Sequence, residues 1–276
     1  MLSGHAPPSR CGVLGSPVAH SLSPAMHTAA YARLGLDGWT YAAHEVDEHG
    51  LGAFLDGLDG SWRGLSLTMP LKRAVLGLLD AVSPLAAEVG AANTVVLTDG
   101  RRVGDNTDVP GVTAALLERG VHDVRSARLL GGGATAASVL AALAAGGLRR
   151  AEVVVRDVTR AGEVVALGTR LGVDVDVLDL ADDHHGVVDL LVSTVPGTSV
   201  AGRASSHVAR AGAVFDVLYD PWPTPMATAA EAAGVPVVTG LDLLAHQAAL
   251  QVRLMTGSEV SADALRVAAL EELARR

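Results

Sequence analysis

The stretch Ala127-Arg128-Leu129-Leu130-Gly131-Gly132-Gly133-Ala134-Thr135-Ala136-Ala137-Ser138 decides the fold of this chain. It reads as a buried strand, a glycine turn and the start of an Ala-rich helix that runs to about Ala145. That is the context a phosphate-binding loop needs: glycines let the backbone approach a pyrophosphate, and the helix N-terminus offers N–H donors and partial positive charge. Gly131 and Gly133 fit the pattern, with Gly132 between them, and Ala134 and Ser138 stand where further glycines would be. A tight turn between packed elements is the alternative reading. After it, strands at 151–155, 173–178, 188–193, 213–217 and 235–238 follow, with a helix near 160–171. Strands alternating with helices predict a doubly wound parallel sheet.

The strand at 151–155 leads into Arg156-Asp157, with Arg160 close behind. An acidic residue at this strand end holds the ribose of NAD, whereas arginine takes the extra phosphate of NADP. Arg156 and Arg160 can clamp a phosphate bidentately, so the residues favour NADP. Asp157 keeps NAD open, and a solvated helix start is the plain alternative for both arginines.

Upstream, the pattern is less regular. Strands are predicted at 11–15, 39–46, 63–68, 93–98 and 102–104, with Asp99-Gly100 as a hairpin turn. Helices are predicted at about 25–34, 50–58, after Ser83-Pro84, and at 110–119. Ser23-Pro24 reads as an N-cap followed by proline in the first turn. Two further helices, 241–255 and 262–274, have no strand left to join and return to the first domain. The domains are therefore expected at 1–110 plus 241–276, and at 111–240.

Within Gly64-Leu65-Ser66-Leu67-Thr68-Met69-Pro70-Leu71-Lys72, alternating apolar residues make a short strand that Pro70 ends. Thr68 and Lys72 are thus delivered at or past a strand end, where α/β folds put their chemistry. Lys72 is the only lysine among 21 basic residues. Unlike arginine, its proton affinity can be tuned.

Composition limits the function classes. Of 276 residues, 49% are hydrophobic and few are aromatic, as buried parallel strands and close helix packing require. A net charge of −9 argues against non-specific nucleic-acid binding. Cys11 is the sole cysteine, which excludes an intrachain disulfide and suits a reducing cytoplasm. Residues 1–10 read as a disordered leader without the apolar core of a signal peptide, and no stretch is long and apolar enough for a membrane helix. No His/Cys/Asp set has metal-ligand spacing; His184-His185 falls in a polar loop. The partner expected is a small molecule, and the sequence leaves a homodimer open.

Polar clusters at element ends carry a resemblance. Residues 12–24, which end in His20-Ser21-Leu22-Ser23-Pro24, the Lys72 stretch, Gly90-Ala91-Ala92-Asn93-Thr94-Val95 and Gly104-Asp105-Asn106-Thr107-Asp108 are similar to four motifs of the shikimate dehydrogenase family. Tyr219-Asp220-Pro221, Thr224-Pro225, Gly240 and Gln247-Ala248-Ala249 match its C-terminal ones, in the family's order from about residue 12 to 257. The resemblance implies an N-terminal substrate-binding domain and a Rossmann-type NADP-binding domain, with catalysis in a cleft between them. It implies reversible NADPH-dependent reduction of 3-dehydroshikimate to shikimate, within aromatic amino-acid biosynthesis. Ser21 and Ser23 would bind the substrate carboxylate, and Thr68, Asn93 and Gln247 the ring hydroxyls. Tyr219 would contact substrate or nicotinamide, Thr194 and Gly240 would join Gly131–Ala134 in the cofactor site, and Lys72 and Asp108 would form the acid/base pair. His20 and His27 are expected to be structural or exposed, and Asp105 a turn residue. Three departures from the family are visible: Ser66 where asparagine is common, Gly-Gly-Gly-Ala in the phosphate loop, and Val155-Arg156-Asp157 in place of Asn-Arg-Thr. A quinate/shikimate dehydrogenase that prefers NAD and a non-catalytic metabolite binder are the alternatives.

Overall fold

The computed structural model of the protein describes residues 9–182 and 186–276. The His184-His185 loop and all but the end of the expected leader lie outside the described residues. The first strand begins earlier than predicted, at Ser9.

In chain order, the first elements are β1 (Ser9–Gly15), α1 (Ser23–Arg33), β2 (Trp39–Glu45), α2 (Leu51–Asp56), β3 (Trp62–Leu67), the one-turn α3 (Leu71–Ala74), β4 (Ala81–Val82), α4 (Pro84–Val89), β5 (Thr94–Thr98) and β6 (Arg101–Asp105). Next come α5 (Asp108–Glu118), β7 (Ser126–Leu130), α6 (Ala134–Ala145), β8 (Arg150–Val155), α7 (Gly162–Leu171), β9 (Asp174–Asp179), β10 (Val188–Ser193), α8 (Ala204–Val208), β11 (Ala211–Asp216), α9 (Pro225–Ala233) and β12 (Val237–Thr239). The chain closes with α10 (Gly240–Thr256) and α11 (Ala262–Arg275). Contacts divide it into two compact units, Met1–Thr107 with Ala245–Arg276, and Asp108–Leu244.

Unit 1 holds a six-stranded sheet in the order β2-β1-β3-β5-β6-β4. β1 runs parallel to β2 and β3, while β5 runs antiparallel to β3 and β6. The hairpin between β5 and β6 turns on Asp99 and Gly100, with φ of 51° and 72°, the positive pair that a type I′ turn needs. This antiparallel insertion brings the C-terminal ends of β1, β3 and β6 and the start of β5 to one edge of the sheet. α10 packs on β3 because Gly64 has no side chain: a Cβ there would lie 2.5 Å from Met255 Cγ. Leu14, Leu51, Leu65, Leu71 and Val95 form its buried core.

His27, on α1, is fully buried and stacks on Tyr41 with ring centroids 4.0 Å apart. Neither ring nitrogen has a hydrogen-bond partner among the described residues. Burial lowers its pKa from 6.5 to about 3, and the Gln251 side chain, an acceptor only for the protonated ring, offsets only part of that shift. The unfolded chain takes a proton near pH 6.5 and the folded one only near pH 3, so between these values the unfolded state binds more protons. Stability therefore falls as the pH drops through this window, by up to about 1.4 kcal/mol per pH unit. His27→Phe keeps the ring stack and should flatten that loss, as read from urea midpoints across the window. An unchanged slope would place the titrating proton on another group.

Unit 2 is an all-parallel sheet in the order β12-β11-β10-β7-β8-β9. Counted from β7, this is strand order 3-2-1-4-5-6 of the doubly wound dinucleotide fold. Its core gathers Leu130, Val154, Leu191, Val214 and Met226. Arg128 and Glu152 on adjacent strands form a buried ion pair at 2.6 Å.

Candidate active site

In unit 1, β3 pairs with β1 up to Leu67 opposite Leu14, and the next residue, Thr68, donates its backbone N–H to Leu14 O at 2.9 Å. Its side chain lies over Gly15, where a Cβ would come 2.2 Å from Thr68 Cγ2. Glycine at 15 therefore makes room for the threonine. Lys72 follows on α3, half-buried, and its carbonyl accepts the Ala92 N–H at 2.8 Å. That bond ties the lysine turn to the segment before β5, while Leu67 N–H donates to Asn93 O at 2.7 Å.

Asn93 is buried and almost fully bonded. Its Oδ1 accepts the Thr107 N–H at 2.8 Å and the Thr94 hydroxyl at 2.9 Å; its Nδ2 donates to Thr107 Oγ1 at 2.9 Å and Gln247 Oε1 at 3.2 Å. Gln247 is buried as well. Asp105 ends β6, where it accepts from the Ser83 hydroxyl at 2.7 Å and the Asn106 N–H at 2.8 Å, a bonding pattern that shapes the turn. Asp108, the first residue of α5 and of unit 2, is buried.

The Ser21 loop differs from expectation. Ser23 is not an N-cap: it lies within α1, the cap position is Leu22, and no side chain caps that end. The hydroxyl of Ser21 accepts the Ser23 N–H at 3.2 Å instead. Its own proton can then be donated to an anion, next to a helix start whose N-cap residue, Leu22, offers no side-chain bond. Glu45 holds the loop from behind, accepting from Ser16 Oγ at 2.7 Å and Val18 N at 3.0 Å. Arg276 donates to the carbonyls of His20 and Ser21 at 2.9 and 3.2 Å. His20 is exposed.

In unit 2, Gly131 adopts φ +112°, and a Cβ there would lie 2.3 Å from Thr194 Oγ1. Thr194 earns its place through this contact: its hydroxyl and N–H both donate to Leu130 O at 2.9 Å. Gly132 faces Arg160 O, 3.1 Å from its virtual Cβ, which sets the glycine loop beside the turn after β8. Gly133 is the N-cap of α6, with open space where a Cβ would stand and no side-chain cap on the helix. This bare helix end, led by Ala134, fits a pyrophosphate. Gly131→Ala should cost about 2 kcal/mol or more, and raise the KM for the dinucleotide about tenfold while leaving the KM for the other substrate in place. Denaturant titration and steady-state kinetics read both, and equal shifts in the two KM values would contradict a role confined to the cofactor.

After β8, Arg156 and Arg160 are exposed. Asp157 caps the following turn, its Oδ1 accepting the Thr159 N–H at 3.0 Å and hydroxyl at 2.6 Å. These two bonds hold its carboxyl below the usual range. Asp157 is thus engaged in its own turn, with the Arg160 charge nearby.

Gly240 packs on the segment after β11, where a Cβ would lie 2.2 Å from Val217 O. Asp242 pins the start of α10, accepting from Arg119 at 2.6 and 3.0 Å and from Thr239 N at 2.9 Å. Tyr219, half-buried, sits on that same segment. Asp216 anchors it, accepting the Thr224 hydroxyl at 2.6 Å and the Leu218 N–H at 3.2 Å. No cluster of His, Cys, Asp and Glu suited to a metal exists among the described residues.

Ser66, noted above only as standing where asparagine is common, lies buried behind Asn93 together with Thr94 and Gln251, neither of which carries a sequence-predicted role. One signal was present: Gln251 follows Gln247 by one helical turn, on the same face of α10.

Two sequence families match the chain: "Shikimate dehydrogenase substrate binding domain" over residues 13–95 and "Shikimate 5'-dehydrogenase C-terminal domain" over residues 240–270. The shikimate dehydrogenase (NADP(+)) of Citrifermentans bemidjiense is 39% identical over 261 residues, covering 90% of this chain and 89% of that protein. The crystal structure of the Mycobacterium tuberculosis shikimate dehydrogenase superposes with a TM-score of 0.86 at 40% identity, covering 96% of this chain and all of that one. The Thermus thermophilus shikimate 5-dehydrogenase, in complex with NADP(H) and shikimate, gives a TM-score of 0.80 at 36% identity, covering 95% and 99%.

Proposed function

This chain belongs to the shikimate dehydrogenase family, and we propose that it catalyses the reversible NADPH-dependent reduction of 3-dehydroshikimate to shikimate. The observation that supports the reading is the backbone tie of Thr68 and the Lys72 turn to the Asn93 segment, with Asn93 bonded to Gln247, in a family whose relatives carry that name. Unit 1 is the substrate-binding domain and unit 2 the dinucleotide-binding domain.

Ser21 and Ser23 receive the substrate carboxylate, one through its hydroxyl proton and both beside the start of α1. Thr68, Asn93 and Gln247 hold the ring hydroxyls with neutral groups that donate or accept, and Tyr219 adds a contact. Reduction of the ketone needs a hydride at carbon and a proton at oxygen, and bound NADPH supplies the hydride. Lys72 gives the proton from its ammonium, and Asp108 is assigned as its acid/base partner. In the oxidative direction, neutral Lys72 takes the hydroxyl proton. Arg156 and Arg160 take the 2′-phosphate, while Gly131, Gly132, Gly133 and Ala134 receive the pyrophosphate.

A cytoplasmic location belongs to the same proposal, and the single cysteine, Cys11, free and buried, suits a reducing compartment. Purified protein supplied with NADPH and 3-dehydroshikimate should yield shikimate, identified by mass and chromatographic retention. Cofactor consumption without shikimate would overturn the assignment. The intact Lys72 and Asp108 favour catalysis over mere metabolite binding.

A further inference from the structure

Behind the ring-hydroxyl residues of unit 1 runs a buried hydrogen-bond chain with one direction. Tyr41 OH donates to Ser66 Oγ at 2.6 Å, and Ser66 Oγ donates to Gln251 Oε1 at 2.8 Å. Gln251 Nε2 donates to Thr94 Oγ1 at 3.1 Å and to Asn93 O at 3.3 Å. The Thr94 hydroxyl then donates to Asn93 Oδ1. Ser66, Thr94, Asn93 and Gln251 are each at most 4% exposed, and Tyr41 is 7% exposed.

Backbone groups fix the direction at two points. Asn93 O can only accept, so the end of Gln251 facing it is Nε2. The Thr107 N–H can only donate, so the end of Asn93 facing it is Oδ1. Between these anchors each hydroxyl has one remaining arrangement. Thr94 accepts from Gln251 and must donate to Asn93; Ser66 must donate to Gln251 and accepts from Tyr41. Burial keeps the Tyr41 phenol far above its ordinary pKa, so the chain begins with a proton donor at any working pH. At the far end, Asn93 Nδ2 donates to Gln247 Oε1, which the Thr107 hydroxyl also approaches at 3.4 Å.

We propose that this chain sets the donor and acceptor polarity of the ring-hydroxyl site, with Gln251 as its positioning residue. Gln247 keeps its Oε1 turned to Asn93 and presents its Nε2 as a donor to a ring-hydroxyl oxygen. The ligand class that fits is a carbocyclic polyol acid with a hydroxyl oxygen that accepts at this point. The inference rests on the function proposed above, and its positioning residues Tyr41, Ser66, Thr94 and Gln251 stand behind the residues assigned to substrate.

The test is steady-state kinetics of the full chain with shikimate and NADP, on wild type, Gln251→Leu, Thr94→Val, their double variant and Tyr41→Phe. Gln251→Leu should raise the KM for shikimate about tenfold, the effect of one misdirected buried hydrogen bond, with the KM for NADP within about twofold. Because both act through one chain, the double variant should lose no more than the worse single variant. Tyr41→Phe, which removes one oxygen, should shift the same constant in the same direction, and it decides the matter if Gln251→Leu does not fold. An unchanged KM for shikimate in the folded variants, equal shifts in both KM values, or additive losses would overturn the proposal. A wild type without turnover on shikimate would overturn the functional reading itself, and this inference with it.

Discussion

Replacing Lys72 with alanine is expected to lower turnover of shikimate by a factor of about 10²–10⁴, the usual worth of a positioned acid or base, while changing shikimate binding by less than about threefold. The lysine stands on α3 just past β3, in a turn fixed by its own carbonyl bond to Ala92. The substrate ring is assigned to Thr68, Asn93 and Gln247 and the carboxylate to Ser21 and Ser23, so binding has other anchors. Lys72→Met would keep most of the stem and lose the proton, and should be as inactive as alanine. Because Lys72 is the only lysine in the chain, an amine-directed reagent has no other side chain to acylate. Shikimate should protect against it. Pre-steady-state turnover and calorimetric binding separate the two effects, and near-normal turnover in Lys72→Ala would remove it from the mechanism.

The second large effect concerns the cofactor. Removing both guanidiniums, in Arg156→Ala with Arg160→Ala, should cut kcat/KM for NADP by about a hundredfold or more. Each charge-assisted contact to a phosphate is worth about 1.5–3 kcal/mol, and about 1.4 kcal/mol is a factor of ten. NAD lacks the 2′-phosphate, so its kcat/KM should change little. Both arginines are exposed and contribute little to folding, so the variant should melt near the wild-type temperature. If activity with NAD falls in parallel, the arginines support the turn and not the phosphate.

Much of the fold was legible because its periodicities are strong. The β-α-β rhythm after Ala127 and the Asp99-Gly100 hairpin each follow from local chemistry that tertiary structure leaves alone. Ser23 shows the limit. Serine before proline has the composition of an N-cap, yet α1 begins one residue earlier and Ser21 bonds the Ser23 amide in its place. The two-residue β4 carries too few side chains to show a pattern, and exists through pairing with β6. α8 and α9 were not predicted either: α8 is only five residues long, and α9 starts at Thr224-Pro225, which reads equally as a turn.

The site divides in the same way. Lys72, Thr68 and the glycine loop stand at element ends that a sequence marks with proline and glycine. The second layer has no local mark. Gln251 meets Thr94 across 157 residues of chain, and only the packing of α10 over Gly64 brings them together. Asp157 is the reverse case: its acidity suggested a ribose contact, and its bonds to Thr159 show a capping role that the sequence Asp-Val-Thr allowed but did not require.

Initial rates on shikimate and quinate with NADP and with NAD, followed by cofactor absorbance, test most directly whether this chain oxidises shikimate with NADP. The shikimate and NADP pair should show the highest kcat/KM. A higher value for quinate with NAD would contradict it.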